Sequence, residues 1–209
     1  MSNKNIMTTI GARNFAKEQR EENDFYATDP IAIDKLEKSI HVPKYIWECS
    51  CGQGHLSERL KIYGHKVFSS DLYNRGYGCS GIDFLSVKNI KDVVDFEIKS
   101  GKDFCILTNP PFKYATEFVL HAFEIMPVGS FLILFLKTTF LEGKKRYEHI
   151  FSKIRPRYVL QFIERVDTAK NGDFIGLKNS GGSAVSYAWF VWQKSSNENF
   201  EYDTIIDWI

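Results

Sequence analysis

The sequence lacks any segment that would place it in a membrane or send it for secretion. None of its apolar runs approaches the ~20 residues of a membrane span, and residues 131–136 are far too few. The first ten residues lack the apolar stretch of a signal peptide. Internal repeats and low-complexity stretches are also missing. We therefore expect a cytoplasmic protein with no membrane partner.

The sequence also lacks a strong net charge and a metal-binding cysteine pattern. The net charge is +1, so a nucleic acid would have to be met by a local basic patch. The four cysteines are Cys49, Cys51, Cys79 and Cys105. They form no CxxC pair and have no cluster of histidines beside them. We interpret them as reduced thiols and predict no metal site.

What the sequence does contain is a regular alternation of strand and helix patterns. Short apolar runs predict strands at 44–48, 65–70, 104–107, 128–136, 158–163 and 184–192. Helical spacing is seen at 55–63, 87–99 and 116–123, and after Pro30. This alternation, with two strands in succession at the end, predicts a mostly parallel sheet with an antiparallel edge strand. Residues 1–23 are predicted to be a flexible arm, and 24–209 a single domain.

A glycine turn at residues 49–54 separates the first sheet strand from a helix. Glycines let the backbone approach a ligand, and Asp71, about twenty residues later, suits a ribose diol. Glu48, just before the turn, suits a cationic ligand better than a pyrophosphate. Asp83 and Phe84 are suited to the edge and face of an adenine. The alternatives are a solvated strand end for Glu48, caps for Asp71 and Asp83, and a core position for Phe84.

The tetrapeptide Asn-Pro-Pro-Phe at 109–112 stands between a buried strand and a helix. Its prolines fix φ and offer no N–H, and a residue before proline favours an extended backbone. The turn therefore presents an amide, a carbonyl and a ring at the carboxyl end of a strand, where ligands bind in open α/β sheets. Two acceptors and a stacking face are what a planar amine needs. The alternative is an ordinary strand-to-helix loop.

Basic residues are concentrated at 137–157, which hold seven Lys and Arg against Glu142 and Glu148. They are suited to contact phosphates, and the alternative is a solvated helix face. The glycine-rich loop at 167–183 is a second candidate for contacts with a partner. The candidate nucleic-acid contacts are Lys137, Lys144, Lys145, Arg146, Lys170 and Lys178.

The order of these motifs resembles that of S-adenosylmethionine-dependent N6-adenine DNA methyltransferases, particularly the short phage and prophage type. The resemblance is carried by residues 24–30, 48–54, 71, 82–85 and 109–112. It implies a Rossmann-like class I methyltransferase fold: a seven-stranded, mostly parallel sheet with an antiparallel edge strand and helices on both faces. It also implies S-adenosyl-L-methionine as cofactor, DNA as partner and a bacterial or phage-infected cell as location.

The same resemblance implies roles for individual residues. The cofactor-binding residues would be Tyr26, Thr28, Pro30, Glu48, Cys49, Ser50, Gly52, Gly54, Asp71, Leu72, Asp83, Phe84 and Asn109. The catalytic residues would be Asn109, Pro110, Pro111 and Phe112. Among these, Asn109 and the Pro110 carbonyl would take the target amine, and Phe112 would stack on a flipped base. The chain departs from the family at Cys49, usually a small residue or proline, and has no separate target-recognition domain.

The motifs leave the methyl acceptor open. An Asn-Pro-Pro-aromatic turn also occurs in enzymes that methylate RNA adenine or a protein glutamine amide. Tyrosine is usual at the aromatic position in the glutamine enzymes, so Phe112 favours a base. A third possibility is a non-catalytic module that binds the donor or DNA, and the intact Asn109 and glycine turn argue against it.

Overall fold

Apolar runs form the strands of this protein, and amphipathic runs form its helices. The computed structural model describes residues 26–170, 172–174, 185–196 and 203–209. The strands are β1 (Tyr26–Thr28), β2 (Tyr45–Glu48), β3 (Lys66–Asp71), β4 (Cys79–Ser80), β5 (Phe104–Thr108), β6 (Phe131–Lys137), β7 (Tyr158–Gln161), β8 (Thr168–Lys170), β9 (Tyr187–Gln193) and β10 (Ile205–Trp208). The helices are α1 (Ile31–Ser39), α2 (His55–Ile62), α3 (Ala115–Ile125) and the short α4 (Lys144–Arg146). The predicted arm, residues 1–23, and Lys178 lie outside the described residues.

The main sheet has the strand order β10-β7-β9-β6-β5-β2-β3-β4. Among the described residues of this sheet, β9 is the only strand that runs antiparallel to its neighbours, and all other pairs are parallel. One face is covered by α3, through Phe118 and Ala122. The other face is covered by α1 and α2, through Leu36 and Leu60. The predicted fold class, a mostly parallel sheet between helices, is therefore confirmed.

The sheet differs from the prediction in two details. The main sheet of the described residues has eight strands rather than seven, and the antiparallel strand β9 lies between β6 and β7 instead of at an edge. The reason is that β9 is buried and apolar from Tyr187 to Trp192, so it requires a neighbour on each side. The edge position is taken by β10, which is exposed, carries Asp207 and pairs in parallel with β7.

The prediction of a helix at 87–99 is wrong. This segment contains only a short turn, Ile90–Asp92, which the Asn89 side chain caps by accepting the Lys91 N–H at 3.0 Å. Ile90 and Val94 are buried anchors against the core. Their helical spacing therefore reflects two anchoring points along an irregular chain.

A separate two-stranded ribbon is formed by β1 and β8, and we call it the β1–β8 ribbon. The backbone N–H of Asp29 extends this pairing by donating to the carbonyl of Asp167 at 3.0 Å. The Asp29 side chain then caps α1 by accepting the Ile31 N–H at 3.0 Å, with Pro30 between them. The ribbon and α1 are thus joined through Asp29.

Candidate active site

A cavity of about 360 Å³ opens where β2, β3 and β5 end. These strands are parallel neighbours, so their carboxyl ends meet at one edge of the sheet. Predicted site residues that line the cavity are Tyr26, Thr28, Glu48, Cys49, Ser50, Asp71, Leu72, Asp83, Phe84, Asn109, Pro110, Pro111 and Phe112. Three other predicted residues do not line it: Gly52 and Gly54 alternate with lining residues in the glycine turn, and Pro30 directly precedes α1.

The glycine turn after β2 requires its glycines. Gly52 and Gly54 have φ of 55° and 82°, in the left-handed region that disfavours other residues. A side chain at Gly54 would also meet the Tyr77 ring, whose atoms lie 2.6 Å from the position of a Cβ. The Tyr77 hydroxyl is in turn held by Glu58 and Lys61 of α2. The loop after β3 is therefore fastened over the glycine turn.

Asp71 ties the end of β3 to the glycine turn. One carboxylate oxygen accepts the Gly52 N–H at 2.9 Å, and the other accepts the Tyr73 N–H at 2.9 Å. Each carboxylate oxygen has a second lone pair, so both can still accept from a ligand hydroxyl. The cap predicted as the alternative role is present, and the side chain keeps the capacity to bind a diol.

Glu48 is buried, with 2% of its surface exposed, so the solvated strand end considered as an alternative is wrong. Its carboxyl accepts a hydrogen bond from the Ser57 hydroxyl, whose oxygen lies 2.6 Å from that of Ser69. Burial raises the pKa of Glu48 to about 8, and the negative charge of Asp71 acts in the same direction. Burial therefore favours the protonated form of Glu48 at neutral pH.

Asp83 and Phe84 adopt the roles considered as alternatives, although both also line the cavity. The Asp83 carboxylate caps a short turn, accepting the Leu85 N–H at 3.1 Å and the Ser86 hydroxyl at 2.7 Å. The Phe84 ring is 2% exposed and packs against Phe118, with ring centroids 4.7 Å apart. Together they form the wall beyond the end of β3.

Asn109 has an orientation that its neighbours determine. Its Nδ2 donates to the Tyr26 carbonyl at 3.2 Å and to Thr28 Oγ1 at 2.9 Å. A carbonyl only accepts hydrogen bonds, so the amide nitrogen must face β1 and Oδ1 must face away. Oδ1 is buried and has no hydrogen-bond partner among the described residues. Leaving such an acceptor unpaired costs about 1–3 kcal/mol, which a ligand N–H would recover.

Phe112 stands in a row of rings that runs from the cavity into the core. It stacks on Tyr187 with centroids 5.8 Å apart, and Tyr187 stacks on Phe135 at 4.8 Å. Lys137 Nζ lies 4.6 Å from the Phe112 centroid. Phe112 is therefore supported by the Tyr187 ring and has the Lys137 ammonium over it.

The predicted basic residues whose side chains are described, at 137 and 144–146, have different surroundings. Lys137 reaches Phe112, but Lys144 pairs with Glu148 at 3.8 Å, and Lys145 lies exposed beside it on α4. Arg146 serves the local fold, because its guanidinium donates to the carbonyls of residues 139 and 142. Lys170 ends β8, where it pairs with Tyr26 of β1.

The cavity also contains residues that the sequence reasoning did not single out. Lys113 and Tyr114 follow Phe112 in a short turn and line the cavity mouth, with Lys113 Nζ 4.7 Å from the Tyr114 centroid. Their signal was the interleaving of aromatic and basic residues at 112–114. His55 lines the opposite side, against the Phe174 ring at 5.6 Å, and burial lowers its pKa. Nothing in the sequence marked His55, because Phe174 reaches it from a distant segment.

Two kinds of feature are absent from the part of the chain that the structure describes. No group of three or more His, Cys, Asp or Glu residues there is placed to hold a metal ion. No helix in those ranges has the length and apolar content needed to cross a bilayer.

Solved structures show what this arrangement resembles. A proposed class I S-adenosylmethionine-dependent methyltransferase from Listeria monocytogenes matches with a TM-score of 0.56 and 11% identity, over 97% of this chain and 70% of that one. The chain has the class I methyltransferase fold. A proposed hemolysin from Lactococcus lactis matches with a TM-score of 0.58 and 10% identity, over 84% of this chain and 91% of that one.

A third structure, a dimethyladenosine transferase from Plasmodium falciparum, matches with a TM-score of 0.51 and 14% identity, over 83% of this chain and 65% of that one. Identities this low show the fold alone, and one fold hosts many activities. No protein-family model matches the sequence, and no curated protein does either.

Proposed function

We propose that this protein transfers a methyl group from S-adenosyl-L-methionine to the N6 amine of adenine in DNA. The observation that carries the proposal is Asn109, whose Oδ1 is a buried, oriented and unpaired acceptor in the wall of the cavity. Buried acceptors without partners are rare in folded proteins, so each one requires an explanation, and a missing ligand is one such explanation.

The donor side of the cavity fits S-adenosylmethionine by its chemistry. Glu48, Asp71 and Asp83 all line it, and the ligand offers two cationic centres, a ribose diol and an adenine amine. Asp71 keeps lone pairs for the diol, and a nearby cation favours the ionised form of Glu48. When bound, S-adenosylmethionine supplies an electrophilic methyl group on a sulfonium centre.

The acceptor side fits a planar amine. The lone pair of an exocyclic amine is shared with its ring, which makes the nitrogen a poor nucleophile. Hydrogen bonds from its two N–H atoms to Asn109 Oδ1 and the Pro110 carbonyl would favour a tetrahedral nitrogen with its lone pair toward the methyl group. The contribution of the protein is then positioning and electrostatic stabilisation, without a covalent intermediate.

The rim of the cavity supports a nucleic acid as the substrate. Phe112 and Tyr114 each have a lysine nitrogen within 5 Å of the ring centroid, at 4.6 Å and 4.7 Å. Rings that stack on bases, combined with cations that meet phosphates, are typical of proteins that bind unpaired strands. Extruding a base costs a few kcal/mol, and stacking returns about 1–3 kcal/mol per base.

Two other acceptors share this amine chemistry. An adenine in RNA would fit the same clamp, and the name of the Plasmodium falciparum neighbour refers to adenosine. A glutamine side chain has no ring, so the stacked row from Phe112 to Phe135 favours a base over an amide. A non-catalytic module is disfavoured by the oriented Oδ1 of Asn109, because a fixed acceptor in the wall of the cavity is suited to hold a reacting amine.

The deciding experiment is methyl transfer from labelled donor to DNA, RNA and protein, followed by digestion of each product. We expect N6-methyladenine in DNA from the natural protein. For Asn109→Ala we expect a loss in kcat on the order of 100-fold, the size typical of removing one preorganised electrostatic contact, with donor affinity retained. The matched control is Asn89→Ala, which removes a cap of the 90–92 turn, none of whose residues lines the cavity.

Each result of this experiment decides among the acceptors. Label in RNA or in glutamine would replace DNA with that acceptor. Tight DNA binding without transfer to any acceptor would support the non-catalytic module. Transfer by Asn109→Ala within a few-fold of the natural protein would show that the amide does not hold the acceptor.

A further inference from the structure

We propose that Thr28 is a positioning residue, whose hydroxyl orients the Asn109 amide for methyl transfer. The inference rests on the proposed function, because it concerns the same acceptor clamp. The resemblance to DNA methyltransferases implies contact between Thr28 and the methyl donor. The structure shows a different contact, since Thr28 Oγ1 accepts a hydrogen bond from Asn109 Nδ2 at 2.9 Å.

Asn109 Nδ2 donates both of its hydrogens to acceptors on β1. One goes to Thr28 Oγ1 and the other to the Tyr26 carbonyl at 3.2 Å. The terminal torsion of an Asn side chain is broad, so one bond would leave the amide plane loosely defined. Two bonds from one nitrogen define that plane. The Asn109 amide then acts toward a ligand only as an acceptor, through Oδ1.

The surroundings of Thr28 make its hydroxyl a rigid support. The side chain is 3% exposed, its Cβ is branched and so restricts χ1, and it lies opposite Thr168 in the β1–β8 ribbon. The Thr168 hydroxyl lies 2.9 Å from that of Tyr187, whose ring stacks on Phe112. The same cross-strand pair therefore supports both parts of the acceptor site, the amide through Thr28 and the ring through Thr168.

The test compares three variants of the full-length protein. Thr28→Val keeps the shape of the side chain and removes the acceptor, whereas Thr28→Ser keeps the acceptor. Thr108→Val is the matched control, because Thr108 adjoins Asn109 in sequence and is fully buried, and its hydroxyl has no hydrogen-bond partner within the described residues. All three are assayed for kcat, KM for DNA and donor affinity.

We expect Thr28→Val to lower kcat by about tenfold, the order expected when a buried N–H loses its acceptor, while donor affinity changes less than about twofold. Thr28→Ser should stay within about threefold of the natural kcat, and Thr108→Val within about twofold. An unchanged kcat in Thr28→Val would overturn the proposal. So would equal losses in Thr28→Val and Thr28→Ser, or a parallel loss of donor affinity.

A second measurement does not depend on catalysis. In ¹H–¹⁵N spectra, the Asn109 side-chain NH2 pair is identified by its absence in Asn109→Ala. We expect Thr28→Val to shift one of the two protons upfield and to speed its exchange with water, and we expect Thr28→Ser to preserve both signals. If the natural protein methylates nothing, the proposed function fails, and this spectrum still decides the role of Thr28. An unchanged NH2 pair in Thr28→Val would overturn it.

Discussion

We expect the protein to lose stability as pH rises through the neutral range, because of Glu48. Burial raises the pKa of this carboxyl from its ordinary value of 4.5 to about 8. Between these two values the folded protein holds a proton that the unfolded chain has released, so each increase in pH favours unfolding. The effect is absent below the lower value and complete above the higher one.

The magnitude follows from the proton that is retained on folding. Each pH unit within this window changes the free energy of unfolding by about 1.4 kcal/mol per proton. We propose urea denaturation at about pH 5.5, 6.5 and 7.5 for the natural protein and for Glu48→Gln. Glutamine keeps an acceptor for the Ser57 hydroxyl and has no proton to release. The stability of the natural protein relative to the variant should therefore fall by roughly 1 kcal/mol per pH unit.

In the difference between the two free energies of unfolding, the contribution of every group that titrates equally in both proteins cancels. A difference that stays constant with pH would refute the reasoning, since Glu48 would then ionise as readily in the folded protein as in the unfolded chain. If the natural protein gained stability relative to Glu48→Gln as pH rises, the reasoning would be refuted more strongly, because the sign of the effect would be reversed. A cationic methyl donor should reduce the slope, as it favours the ionised carboxylate.

Two further predictions concern the glycine turn and the rim of the cavity. Gly54→Ala should lower the free energy of unfolding by about 1–3 kcal/mol more than Gly64→Ala. Both glycines have positive φ, but only Gly54 faces the Tyr77 ring, and equal losses in urea denaturation would show that this contact is unimportant. Lys137→Gln should lower the slope of log affinity for DNA against log salt concentration by about 0.9, the value for one phosphate contact. Lys102 directly precedes β5, whereas the cavity lies at the other end of that strand. Lys102→Gln should therefore leave the slope unchanged, and a similar fall in both variants would argue against a phosphate contact at Lys137.

The sheet could be predicted because each central strand is recognisable on its own. β5, β6 and β9 are short apolar runs bounded by polar residues, and burial on both faces is the physical cause of that pattern. The position of β9 in the sheet was predicted less well. A strand's neighbours depend on which edges the rest of the chain leaves open; β7 pairs with the second side of β9, and β10 takes the edge of the sheet.

The candidate site shows the same division between local and distant contacts. The glycine turn and the Asn-Pro-Pro-Phe turn are continuous in sequence, so their chemistry could be read from neighbouring residues. The burial of Glu48 and the partners of Asn109 could not, because they arise where separate segments meet. Asp83 and Phe84 show the opposite case, in which a plausible local motif serves mainly as a cap and a core residue.

The β1–β8 ribbon has a consequence for the order in which the protein is made. β2, β3, β5 and β6, with the helices that cover them, are all synthesised before β8. Until β8 emerges from the ribosome, β1 lacks its paired strand, and the acceptors that β1 offers to Asn109 have no fixed position. A ribbon of three residue pairs is also expected to open locally without unfolding the main sheet. The nascent chain would therefore acquire an oriented acceptor amide only after β8 has been synthesised, later than its donor-side turns.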